Sequence, residues 1–167
     1  AISADQDITM QALTGDLDTV GALNTVMDIN LAAANTLTND SSITSEQGSV
    51  RLESYQSDVI SLATLSAAGT VSLRADNGLV SSASDVQAAD VTMTAGSGIT
   101  IDGSVTGTST LTAVAATGDI TTSGGGLLQG NALTLEATTG AINATSSLSG
   151  ETIDVTAASD IAITGDI

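Results

Sequence analysis

The sequence predicts an all-β protein, a parallel β-solenoid (β-helix) of about eight coils with 20–22 residues and three short strands per coil. Three observations lead there. An apolar-x-apolar-x-small pattern returns along the whole chain. The interior it implies is built without bulky rings, since Tyr55 is the only aromatic residue. Globular cores use large aromatics to fill irregular space, whereas Ala, Val, Leu and Ile suit a narrow, regular interior. Proline is absent, so no turn depends on its fixed φ.

The first strand of each coil carries the clearest signal. It reads Ile8-x-Met10-x-Ala12, Ile29-x-Leu31-x-Ala33, Val50-x-Leu52-x-Ser54 and Val71-x-Leu73-x-Ala75. It continues as Val91-x-Met93-x-Ala95, Leu111-x-Ala113-x-Ala115, Leu133-x-Leu135-x-Ala137 and Ile153-x-Val155-x-Ala157. The steps between starts are 21, 21, 21, 20, 20, 22 and 20 residues. Alternation with period two marks a strand with one buried face. The third inward position is Ala seven times and Ser once, small enough for a tapering corner.

A polar turn follows, ending in Gly15, Gly78, Gly98, Gly118 and Gly140. Glycine is expected there to supply the positive φ of a sharp corner. The second strand starts two residues later, at Leu17, Val59, Val80, Ile120 and Ile142. A third apolar position comes at Leu23, Ile43, Leu65, Val86, Val105, Leu127 and Leu148, and its variable spacing absorbs the changes in period. One coil cannot bury its own inner face; stacking coils buries all of them. With sheet neighbours about 4.8 Å apart, eight coils make a rod roughly 38 Å long.

Stacking also specifies neighbours. The turn position after the first strand reads Thr14, Asn35, Gln56, Asn77, Ser97, Thr117, Thr139 and Ser159. It predicts a polar ladder in which Asn35, Gln56 and Asn77 stack their amides. Glu53 falls beside Arg74 of the next coil on the outward face. An exposed pair of this kind is worth roughly 0–1 kcal/mol, but it tests the register.

The stretches Leu133-Thr-Leu-Glu-Ala-Thr-Thr-Gly-Ala-Ile142, Leu111-Thr-Ala-Val-Ala-Ala-Thr-Gly-Asp-Ile120 and Val91-Thr-Met-Thr-Ala-Gly-Ser-Gly-Ile99 resemble the repeats of the filamentous haemagglutinin family of large secreted bacterial adhesins. The resemblance runs from about residue 8 to the end. It implies a right-handed β-helix, export from a bacterium with an outer membrane, and a role as a fibrous stalk or adhesin. Nothing beyond the repeats matches the family's N-terminal secretion domain.

Composition narrows the function. With 19 acidic residues against Arg51 and Arg74, the formal charge is -17. That disfavours nucleic acid and anionic membranes, which need clustered Lys and Arg. Acidic, aromatic-poor chains are often disordered, but 41% hydrophobic residues provide a core. Neither Cys nor His is present, so disulfides and thiolate metal sites are excluded. No apolar run reaches the length of a membrane span. The first residue is Ala rather than Met, which points to a processed product or an excerpt of a longer chain.

Candidate sites have plain alternatives. Asp5/Asp7 and Asp16/Asp18 are paired carboxylates, the currency of glycosidases, but they lie in or beside turns and read as solvated corners. Two arginines make a poor lyase site, and no long insertion builds a cleft. No Gly-Gly-x-Gly-x-Asp period suggests calcium; Asp16 and Asp119 each follow a corner glycine but lie five coils apart, and Gly124-Gly125-Gly126 lacks an acidic partner. Thr92-x-Thr94 is the only such pair on the outward first-strand positions, and Arg74 and Glu136 interrupt any flat threonine array. Asn39-Asp-Ser41 and Asn143-Ala-Thr145 are sequons. Met10 and Met93 read as core, and Tyr55 as a corner cover. No catalytic, cofactor-binding or metal-binding residue is assigned, and no cofactor is expected.

The expected role is therefore a single solenoid segment, residues 1–167, within a longer array. It would be a non-catalytic stalk or fibre segment of an extracellular adhesin at the bacterial cell surface. Its partners would be neighbouring repeats or identical subunits end to end, with a host or cell-surface glycan as a further partner. A carbohydrate-binding or carbohydrate-cleaving β-helix and a subunit that assembles end to end into a filament are the alternatives.

Overall fold

The computed structural model describes residues 1–123 and 125–167; Gly124, the first residue of the triple-glycine run, lies outside them. Among the described residues all regular structure is β, and every strand pairing is parallel. The strands form a 14-stranded and an 8-stranded sheet. First and third strands of the coils belong to the larger sheet, and second strands to the smaller one. The chain therefore winds as a β-solenoid of about eight coils.

The register follows the sequence repeat residue by residue. Ile8 pairs with Ile29, Ile29 with Val50, Val50 with Val71, and Val71 with Val91. The same row continues through Leu111, Leu133 and Ile153. Its inward side chains are buried from Ile29 to Ala137. They are more open in the first and last coils, where Met10, Ile153 and Val155 have a coil on one side only.

Second strands also start at Leu37, Ile99 and Ile161; Leu37 and Ile161 follow corners without glycine, and Ile99 comes one residue after Gly98 rather than two. In two places the third strand runs on into the first strand of the next coil, giving Val86–Ala95 and Val105–Ala115. A register irregularity between Ala88 and Asp90 marks the bend in this continuous stretch. The third-strand reading also slips at one place. Leu128, not Leu127, pairs with Val105 and is fully buried. The coil containing the glycine run has the longest step, 22 residues, and the extra length displaces the inward position by one.

Of the five corner glycines Gly15 has the expected positive φ, and the other four serve a different purpose. Among the described residues only Gly15 and Gly125 have positive φ. At Gly78 and Gly140 a Cβ would lie 2.2 Å from a carbonyl oxygen of the coil below, at Ser57 and Gly118 respectively. At Gly98 it would lie 2.9 Å from the Asp119 carbonyl, and at Gly118 3.0 Å from the Ser97 carbonyl carbon. These corners need glycine because backbones of successive coils approach too closely for a side chain.

The interior holds a polar row that the sequence reading missed. Thr19, Asn39, Ser61, Ser82 and Thr122 occupy the second inward position of the second strand and are all buried. Thr19 Oγ1 donates to Asn39 Oδ1 at 2.7 Å, and Asn39 Nδ2 donates to Ser61 Oγ at 3.4 Å. Ser61 and Ser82 donate to the carbonyls of Ala63 and Ser84, two residues on. Thr122 Oγ1 accepts the N–H groups of Thr145 and Ser146. Buried hydroxyls thus satisfy corner backbone that the ladders leave over. Asn39 of the first sequon is part of this row, with no exposed surface to modify.

Candidate functional site

Aspartate immediately before a strand makes a recurring two-point clasp between coils. At Asp58, the N–H of the following residue Val59 donates to the Leu79 carbonyl of the next coil at 2.9 Å. The Leu79 N–H donates back to Asp58 Oδ1 at 2.8 Å. The same closed pair occurs at Asp7, Asp16, Asp28, Asp85 and Asp119. A corner breaks the backbone ladder and strands one N–H per coil; a carboxylate oxygen captures it with a charge-assisted bond. Asp7 and Asp16, one member of each carboxylate pair, are therefore committed to structure. Ser49 and Ser104 use their hydroxyls in the same way for Thr70 and Leu127.

The turn row after the first strand forms a ladder of another kind than expected. Asn35, Gln56 and Asn77 are exposed, and Asn77 Nδ2 donates to the Tyr55 carbonyl at 2.9 Å. Thr117 Oγ1 likewise donates to the Gly96 carbonyl at 2.8 Å. A corner carbonyl of the coil below is a stronger acceptor than a neighbouring amide, so the Asn77 amide reaches down rather than stacks.

Both cations of the chain gather around one carboxylate. Arg74 is in register with Glu53, and its Nε lies 3.7 Å from Glu53 Oε1. Shorter contacts run along each strand, Arg51 Nη2 to Glu53 Oε2 at 2.8 Å and Arg74 Nε to Asp76 Oδ1 at 2.6 Å. Residues two apart share a strand face, which brings these partners closer than the inter-coil spacing does. Tyr55 Oη donates weakly to Glu53 Oε2 at 3.4 Å. Glu53 is 7% exposed beneath these side chains. The Arg74 guanidinium is held above its ordinary range by its hydrogen bond to Asp76 and that carboxylate's charge, with Glu53 and Tyr55 adding and desolvation opposing. The arrangement is a surface latch with every charge engaged.

A concave groove runs along the solenoid axis where the third strand bends into the next first strand. Two depressions, of about 330 and 350 Å³, meet at Thr108, which lines both. Thr44, Ser66, Gln87, Thr106, Gln129 and Ser149 line it, one from each of six successive coils and all in register. Each is the outward residue that directly follows the inward Ile43, Leu65, Val86, Val105, Leu128 or Leu148 of its third strand, and the row extends below to Asn24 and Ser3. No position in it is charged or apolar, in a chain with 19 acidic residues. Among the described residues, none of these six side chains makes a hydrogen bond within the protein. The irregular spacing of the third segment hid this row; aligning its outward residues by coil would have shown it.

Among the described residues no three acidic side chains converge on a point fit for a metal ion. Among the described residues no helix is long and apolar enough to cross a membrane. No protein-family model matches the chain, and neither a curated protein nor a solved structure matches it significantly. The fold itself, a stack of parallel coils, is compatible with repeat adhesins.

Proposed function

We propose that this chain is a structural segment of an extracellular bacterial fibre or adhesin, serving as a spacer rather than as an enzyme. The observation that carries this reading is the uninterrupted use of every coil for stacking. In-register rows, corner clasps and the buried hydroxyl row recur along the described chain. No long insertion rises from the period to build a walled cleft. The resemblance to filamentous haemagglutinin repeats supports the same reading and supplies the expected location, outside a cell with an outer membrane.

Two measurements test it. Small-angle scattering should show a rod, and deletion of two whole coils should shorten it by about 10 Å. An antibody against the segment should label intact cells of the organism that makes it. Labelling only after lysis, or specific cleavage of a polysaccharide by the purified segment, would overturn the proposal.

A further inference from the structure

We propose that the axial groove binds an extended, uncharged glycan chain, with one side-chain hydrogen-bonding position per coil. This goes beyond the spacer role and does not depend on it.

Thr44, Ser66, Gln87, Thr106, Gln129 and Ser149 each carry both donor and acceptor capacity. Sugar hydroxyls have the same dual character, so either direction of bonding can be met at every position. Elsewhere on the molecule six aspartates are spent on clasping the next coil, and Arg51, Glu53, Arg74 and Asp76 pair with one another. In the groove the donors and acceptors are unspent.

Charge selects among polymers. A formal charge of -17 repels polyanions, which excludes nucleic acid and acidic polysaccharides. Glu46 and Glu151 stand among the lining residues but outside the neutral row. An extended peptide would need a free strand edge or side-chain pockets. From Thr44 to Gln129 the groove offers no free edge, because the backbone of its row is paired on both sides by neighbouring coils. A linear neutral glycan needs only hydroxyl partners repeated along a line. The six positions span five steps, roughly 24 Å. With no aromatic platform in the groove, single contacts are weak, and affinity rises with the number of coils engaged.

The test uses the 15N-labelled chain titrated with cellohexaose, mannohexaose and laminarihexaose, with hexagalacturonate as the anionic counterpart. At least one neutral probe should shift the side-chain amide signals of Gln87, Gln129 and Asn131 at millimolar concentration, leaving those of Gln56, Asn77 and Asn143 in place. Gln87→Ala and Gln129→Ala should each raise Kd roughly five-fold, the loss of about one neutral hydrogen bond. Gln56→Ala, outside the groove, should not. The proposal fails if none of the three neutral probes perturbs the groove amides. It fails equally if shifts map to another face, or if hexagalacturonate or an extended peptide binds the groove as well as the best neutral probe.

Discussion

Replacing Asp58 by alanine removes one half of a corner clasp and leaves the rest of the coil intact. The Leu79 N–H then loses its 2.8 Å acceptor, while Val59 keeps its 2.9 Å bond to the Leu79 carbonyl. A hydrogen bond to a charged group contributes about 1.5–3 kcal/mol. Asp58 and Leu79 are only half-buried, so water takes up part of the lost bond. The expected destabilisation is therefore about 1 kcal/mol, which makes local opening roughly five-fold more frequent. Amide hydrogen exchange of Leu79 reads this directly, because that N–H is the orphaned group. Asp58→Asn keeps an oxygen at the same place and should recover more than half of the protection. Asp40→Asn provides the charge control, since this exposed corner acid accepts no side-chain hydrogen bond among the described residues. If Leu79 exchanges no faster in Asp58→Ala, or if Asp58→Asn is as damaging as alanine, the clasp contributes nothing and the argument is wrong.

Four further outcomes follow from the geometry. Leu73→Ala removes a fully buried side chain from the middle of the stack and should cost about 2–5 kcal/mol in urea denaturation. Gly107→Ala places a Cβ 1.9 Å from the Thr110 carbonyl oxygen and should cost about 1–3 kcal/mol, with amide shifts centred on the bend between the merged strands. A double-mutant cycle should find about 0.5 kcal/mol of coupling between Arg51 and Glu53, at 2.8 Å, and less between Glu53 and Arg74, at 3.7 Å, both fading with added salt. Because Arg74 is raised, its contribution is in place below the ordinary arginine range and is lost only as pH climbs through the folded value. Its effect on stability should accordingly stay flat from about pH 6 to 10.

The inward rows were legible because period-two alternation and a near-constant step leave few registers open. Ile29, Val50, Val71 and Val91 could be stacked on paper and are stacked in the molecule. The Glu53–Arg74 adjacency came from the same alignment. What escaped lies between coils and at corners. Gly78 could be seen as a corner residue, but only the stacked fold shows that the Ser57 carbonyl occupies the space of its missing Cβ. Aspartate before a strand recurs at all three kinds of corner, as at Asp28, Asp58 and Asp85, so no fixed offset exposed it. The groove row was lost with the variable third segment, where Leu127 stood in for Leu128.

The clasps also have a direction. In each of the six, the carboxylate belongs to the earlier coil and the captured N–H to the later one. A completed coil thus holds its acceptors ready before the residues that need them have been laid down. For a chain that lengthens from its N-terminal side, each finished turn is a mould for the following one, and the aspartates are the pegs that fix where the next turn seats.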